Sequence, residues 1–93
     1  MLILLSTSCF NNLSGSYKDT GKGNRYLNIS DNGSFAINDF GAYLAGEFER
    51  DDKKLYFTVK SSGDKEKVGT LIIGQIESNN EITIGRMRFR KIN

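Results

Sequence analysis

The stretch YLNISDNGSFAI, residues 26–37, decides much of the fold of this chain. Apolar and polar residues alternate on both sides of the DNG segment at 31–33, which is typical of strands with one buried face. Asn and Gly tolerate the positive φ angles that tight hairpin turns require. The stretch therefore predicts two antiparallel strands joined by a short turn. The apolar positions of these strands are Leu27, Ile29, Phe35 and Ile37.

The same alternation, interrupted by short polar turns, continues over most of residues 13–92. It predicts about seven strands, and no segment shows a convincing helical period. The chain has 10 Gly and no Pro, which suits short strands joined by glycine turns. We therefore expect an all-β fold, in which an antiparallel up-and-down meander curls into a small barrel or half-barrel. Residues 13–93 would form this single domain.

Two segments near the C-terminus depart from simple alternation. A sixth strand at 68–77 contains three consecutive apolar residues, Leu71 to Ile73, which predicts burial on both faces or a bulge near Gly74. A seventh strand at 81–92 changes phase at Gly85, and a bulge there would turn its apolar side chains to one core. The bulky inner residues of such short strands predict a filled interior, without an internal pocket of about 300 Å³ or more.

Cys9 is the only cysteine, and it follows a short apolar run and three small residues. This arrangement resembles the cleavage site of a bacterial lipoprotein signal. Residues 1–8 would then be a signal segment, truncated at its start, and residues 9–12 a tether whose Cys9 is lipidated. This hypothesis places the protein at the bacterial cell envelope, anchored to the membrane on its extracytoplasmic side. The alternative is that residues 1–5 form an ordinary first strand and that Cys9 is a buried, inert thiol.

The composition argues against several classes of function. The chain has no His and one Cys, so a zinc or copper site and a catalytic triad with His are not expected. One cysteine also excludes an internal disulfide. No segment is long and apolar enough to span a bilayer as a helix. We therefore expect a monomeric, non-enzymatic protein without a cofactor or a metal.

The LSGSY sequence at residues 13–17 begins a wider pattern. Residues 26–35 combine a strand, an Asp/Asn-Gly turn and a second strand, and residues 46–55 combine Gly-x-Phe, an acidic turn and Leu. RFRK at 88–91 closes the pattern. In these motifs the chain resembles the small lipocalin-like domains of bacterial lipoproteins. The resemblance implies an up-and-down barrel or half-barrel, but family members have mixed functions, so it implies little about function.

A cluster of basic residues near the C-terminus is the main candidate site: Arg86, Arg88, Arg90 and Lys91. In one extended strand the three arginines point the same way and would form a stripe that binds an anionic lipid, a glycan phosphate or an acidic envelope protein. The alternative is a solvated exterior that pairs with glutamates of neighbouring strands. Nucleic acid is not an expected partner, because the stripe lacks interleaved exposed aromatic residues. The glutamates in question are Glu47, Glu49, Glu77 and Glu81.

Three functions remain open from the sequence. The first is a lipid-anchored envelope domain that binds a partner or an anionic surface without catalysis. The second is a carrier of a small hydrophobic ligand, as in lipocalins. The third is a periplasmic enzyme inhibitor that inserts one loop into its target. The expectation of a filled interior favours the first of these over the carrier.

Overall fold

The computed structural model describes residues 13–21, 23–39 and 41–92. In these residues eight antiparallel strands form one closed barrel, in which each strand pairs with the next and the last pairs with the first. The all-β, up-and-down fold predicted from the sequence is therefore confirmed, with one strand more than expected. The strands are β1 (Gly15–Asp19), β2 (Arg25–Ile29), β3 (Ser34–Asp39), β4 (Ala42–Asp51), β5 (Lys54–Ser62), β6 (Leu71–Ser78), β7 (Glu81–Ile84) and β8 (Met87–Lys91).

Inward-facing apolar side chains fill the middle of the barrel. Alternation along each strand sends every second residue inward, which is why the period-two pattern of the sequence becomes a single core. The rings of Phe35 and Phe57 meet edge to face, with centroids 4.8 Å apart. The middle is therefore packed and leaves space only towards the ends. The largest side chains without solvent contact are Tyr17, Phe57, Phe89, Leu27, Leu55, Ile82 and Val59.

A β-bulge interrupts the pairing of the two longest strands, β4 and β5. The register shifts at Gly46, and Lys60 on β5 has no partner in it. The strands approach so closely that a Cβ on Gly46 would lie 2.0 Å from the carbonyl oxygen of Thr58. Because the bulge changes the alternation of β5 by one residue, Ser62 pairs with Leu44, which packs against the core. The bulge thereby turns Ser62 towards the inside of the barrel.

The prediction of one strand over residues 81–92 is wrong. The segment is a hairpin, since β7 ends at Ile84, β8 begins at Met87, and these two residues pair directly. Gly85 has φ = 60°, as the first position of a type II′ turn requires, and Arg86 is the second turn residue. The apolar residues of both halves do face one core, as expected, but a reversal of the chain rather than a bulge brings this about.

The expected course of the sixth strand is also partly wrong. The strand begins at Leu71, after a short 3₁₀ helix at Lys65–Lys67 and a turn that contains Val68. Only Ile72 of the three apolar residues packs against the core, whereas Leu71 and Ile73 are 56% and 54% exposed. The predicted burial on both faces does not occur, because the outer face of β6 carries nothing above it in the described part of the chain.

Candidate functional site

The up-and-down topology gathers the loops at two ends of the barrel. We call the upper end the one where β1 ends and β2 begins, and the lower end the opposite one. An upper cleft of about 600 Å³ and a lower cleft of about 560 Å³ open to solvent at these ends. The sequence led us to expect no internal space of about 300 Å³ or more. That expectation holds for the packed middle, but it missed the two ligand-sized clefts at the ends.

The floor of the upper cleft is a continuous apolar surface. Five different strands contribute one side chain each. Each of these residues is the first or the second inward-facing residue of its strand, counted from the upper end. Ile37 and Ile84 are each only 5% exposed, so they close the cleft towards the core. The strands hold these side chains in place, so the floor is pre-formed. Its residues are Ile37, Leu44, Ile72, Ile84 and Met87.

A charged group lies at one edge of this floor, and we call it the Asp19–Arg25–Asp39 triad. Arg25 donates from Nη1 to Asp19 Oδ2 and from Nε to Asp39 Oδ2, both at 3.0 Å. Asp19 is 7% exposed, and its Oδ1 accepts the backbone N–H of Gly21 at 2.8 Å. The hydrogen bonds to Asp19 and then Asp39 raise the pKa of the Arg25 guanidinium above its ordinary value. Arg25 therefore remains charged at any physiological pH.

Asp39 is the least compensated member of the triad. Its Oδ1 is buried and has no hydrogen-bond partner among the residues that the structure describes. Two carboxylates share one guanidinium, so the triad has a net charge of about −1 with both acids ionised. Asp64 and Lys67 stand at another part of the rim and have opposite charges. The upper cleft thus combines an apolar floor with a negative edge.

The lower cleft has a different construction. Leu13, Ile29 and Phe48 form a small apolar surface, and the rest of the lining comes from turns, the end of β4 and the segment before β1. Tyr17 fixes the segment before β1 there, since its hydroxyl donates to the Leu13 carbonyl at 2.5 Å. Because five strand positions build the upper floor and turns and strand ends build most of the lower one, the upper cleft is the better candidate for a binding site.

The basic residues predicted as an anion-binding stripe are only partly brought together. Arg88 and Arg90 lie on the outer face of β8, and their side chains are 59% and 68% exposed. Arg86 belongs to the β7–β8 turn, so it does not extend their row. Lys91 turns to the other face, where its Nζ lies 5.8 Å from the ring centroid of Tyr17.

One of the predicted glutamate partners does meet the arginines. Glu81 Oε2 is 3.6 Å from Arg88 Nε and 3.9 Å from Arg90 Nη2. Neither contact is a hydrogen bond, and both guanidinium groups share this one carboxylate. Lys18 on β1 pairs in register with Arg90 and adds a further positive charge. The outer surface formed by Lys18, Arg88 and Arg90, which we call the β8–β1 basic face, therefore keeps a net positive charge even with Glu81 included.

The sequence contains a signal for the triad. The signal lies in the positions of the three charged residues within the strand alternation. Asp19 follows Tyr17 by two positions, Arg25 precedes Leu27 by two, and Asp39 follows Ile37 by two. All three charged residues thus continue the inward-facing alternation at strand ends. A charged residue at an inward position needs a partner or an opening to solvent, and here it has both. Because β1, β2 and β3 are successive antiparallel strands, the predicted meander already places these three strand ends side by side.

The fold and the upper cleft define a small closed β-barrel with a ligand-sized mouth. No family model, curated protein or solved structure matches the chain. The lipocalin-like resemblance accordingly stays a prediction, because many unrelated proteins share barrel architectures. The described ranges contain no helix that could cross a membrane. In those same ranges no three His, Cys, Asp or Glu side chains come together as a metal site would require.

Proposed function

We propose that this protein is a non-enzymatic binding domain that accepts a small amphipathic molecule in the upper cleft. The observation that carries the proposal is the pre-formed apolar floor with a charged group at its edge, the usual composition of a ligand site. This corresponds to the carrier hypothesis, with one change. Because the middle of the barrel is packed, the ligand would occupy only the mouth, and part of it would stay in contact with water.

The depth of the cleft limits the affinity. Each buried methylene contributes about 0.8 kcal/mol, so an alkyl chain with about five to seven methylenes in the cleft gains only about 4–5.5 kcal/mol. We therefore expect dissociation constants between roughly 0.1 and 1 mM for simple alkyl probes. A natural ligand would need a broader apolar body or additional polar contacts to bind more tightly.

Methyl-detected NMR tests this proposal directly, because most floor residues carry methyl groups. Titration with 1-octanol should shift the methyl signals of Leu44, Ile72 and Met87 in a saturable way. The methyls of Leu71 and Ile73 serve as an internal control, because these residues flank Ile72 on the same strand but are exposed on the outer face. Shifts confined to Leu13 and Ile29 would assign binding to the lower cleft and contradict the proposal.

A pair of variants tests the same site by obstruction. Ser62 lines the upper cleft, whereas its neighbour Ser61 is exposed and does not line it, although its Oγ contacts the hydroxyl of the rim residue Tyr43. Ser62→Phe should place a ring in the mouth and weaken octanol binding at least about fivefold, the effect of losing roughly 1 kcal/mol. Ser61→Phe should leave binding unchanged. Equal effects of both substitutions would indicate a general perturbation of β5 rather than obstruction.

A second candidate function is the binding of anionic surfaces by the β8–β1 basic face. It is supported by the two exposed arginines that share one carboxylate and by Lys18 beside them. Vesicles with anionic lipids should bind the wild type more strongly than an Arg88→Ala/Arg90→Ala variant. Lys53→Ala/Lys54→Ala removes the same charge near the lower end and is the matched control. Identical binding of both variants would show that net charge alone, and not the β8–β1 basic face, accounts for binding to the vesicles.

Attachment to the cell envelope through Cys9 remains a hypothesis, because Cys9 lies outside the described residues. It is supported by the small residues that directly precede the cysteine in the sequence. Growth of an expressing bacterium with a tagged fatty acid should label the wild-type protein but not Cys9→Ala. Labelling of neither protein, or of both, would contradict the lipid anchor and leave the barrel's binding function unaffected.

A further inference from the structure

We infer that the upper cleft selects ligands whose polar head is a protonated amine, with the apolar part on the floor and the ammonium group beside Asp39. This inference deepens the proposed function and rests on it. The negative edge of the cleft carries the argument, together with its position relative to the floor. A fatty acid, which has the opposite charge, would be disfavoured in the same cleft.

Asp19 and Arg25 largely satisfy each other. Asp19 is almost fully buried, and its two oxygens are occupied by the Gly21 N–H and the Arg25 guanidinium. Its side chain is only 5% exposed, so it has little surface with which to contact a ligand, and the guanidinium lies 3.0 Å away. Both carboxylates lie 3.0 Å from the guanidinium, but of the two only Asp39 is exposed enough to present the net negative charge of the triad to a ligand.

Asp39 is placed to present this charge to a ligand. Its side chain is 39% exposed and lines the cleft, while Oδ1 has no hydrogen-bond partner in the described part of the chain. A buried carboxylate oxygen without a donor is unfavourable. An ammonium group at the rim would compensate this charge, whereas a carboxylate head would be repelled by it.

The distance between Asp39 and the floor fits an amphipathic amine. Asp39 follows the floor residue Ile37 by two positions on β3, which corresponds to about 6.6 Å along a strand. A head group at Asp39 can therefore keep its alkyl chain over the floor. The remaining charges of the rim, Asp64 and Lys67, are of opposite sign and cancel. The lining by itself is therefore neutral, and the edge becomes net negative only through the buried Asp19, which pairs with Arg25 behind the lining.

Three octyl probes that differ only in the head group test the inference on the wild-type protein at pH 7. Octylammonium should bind about fivefold more tightly than 1-octanol, the effect of one partly exposed ion pair. Octanoate should bind more weakly than 1-octanol. The dissociation constants are obtained from the methyl shifts of Leu44, Ile72 and Met87, and added salt should reduce the preference for octylammonium.

Asp39→Asn should abolish the preference and bring octylammonium to the affinity of 1-octanol. Glu49→Gln removes the same charge from the outer surface of β4 and should leave the preference unchanged. An equal loss in both variants would show that net charge alone attracts the amine and would overturn the role of Asp39. If Asp39→Asn does not fold, the ranking of the three probes on the wild type decides.

The outcomes separate this inference from the proposed function. Saturable shifts with 1-octanol but no preference for octylammonium would overturn the head-group inference and leave the binding cleft standing. Absence of floor shifts with all three probes would overturn both. Preference for octanoate would show that the guanidinium of Arg25, not Asp39, dominates the field of the cleft.

Discussion

At the scale of single residues, the fold depends on polar groups placed inside an apolar barrel. Tyr17 is the largest fully buried side chain among the described residues, and its hydroxyl donates to the Leu13 carbonyl. Burial raises the pKa of Tyr17 from 10.0 to about 12, since the ionised phenol would lose its hydration. The native state therefore holds the phenolic proton more tightly than the unfolded chain does.

This difference predicts a loss of stability at high pH. Below pH 10 the phenol is protonated in both states and its contribution is complete, whereas between pH 10 and about 12 only the unfolded chain releases the proton. From pH 9 to 11.5 Tyr17 should account for a loss of about 2 kcal/mol in the free energy of unfolding. Urea titrations of Tyr17→Phe should lack this part of the pH dependence.

Tyr43→Phe is the matched control for this experiment, because Tyr43 is exposed at the rim. Its pH profile should retain the full wild-type loss over the same range. Tyr17→Phe should also be about 1 kcal/mol less stable at neutral pH, since the Leu13 carbonyl loses its donor. An unchanged alkaline slope in Tyr17→Phe would show that other groups cause the alkaline loss.

At the scale of strands and turns, the sequence predicted those elements whose chemistry is local. The DNG turn at 31–33 and the alternation around it predict β2 and β3, and the structure confirms both strands and their inward faces. At Gly85 the sequence predicts a bulge and the structure has a turn, because a glycine within a strand pattern fits either. The upper cleft escaped prediction for another reason. Its parts lie far apart in the sequence and meet only when the barrel closes.

Gly46 provides a test at this scale, because the β4–β5 bulge depends on the absence of a side chain there. In Gly46→Ala the new methyl would overlap the Thr58 carbonyl and approach the Lys60 nitrogen to 2.8 Å. Both atoms belong to the backbone and cannot rotate away, so the strands must separate. We expect destabilisation by about 3 kcal/mol, measured by urea unfolding.

Gly63→Ala is the appropriate comparison, since its Cβ would meet only the Tyr43 ring, at 3.8 Å. Its stability should stay within about 0.5 kcal/mol of the wild type. The bulge also turns Ser62 inward, so a folded Gly46→Ala protein should bind 1-octanol less well. Wild-type stability of Gly46→Ala would mean that the pairing of β4 and β5 is looser than the structure shows.

At the scale of the whole molecule, closure of the sheet leaves the described barrel without an unpaired edge strand. Addition of a strand from a second copy is therefore blocked, although β6 exposes Leu71 and Ile73 on its outer face. We expect residues 13–93 to fold alone as a monomer. Sedimentation at about 100 µM should give the mass of a single chain, and circular dichroism should give a sheet spectrum with cooperative melting.

A dimer in that experiment would direct attention to the exposed apolar face of β6. Leu71→Ser/Ile73→Ser should then restore the monomer without loss of the sheet spectrum, because both side chains are more than half exposed. Persistence of the dimer in this variant would contradict association through β6 and would require another interface.

The pairing of β1 with β8 has a consequence for the order of events during synthesis. On the ribosome β1 emerges before the other seven strands, whereas β8, its partner on one side, emerges after all of them. Until then the growing meander has two open edges, and its inner face is exposed to other chains. In a circularly permuted chain the segment after β8 would be linked to the segment before β1, and the pairing of these two strands would become local. Such a chain should keep the same barrel but should not fold faster, because in a closed barrel the new termini separate another pair of neighbouring strands and make that pairing non-local instead.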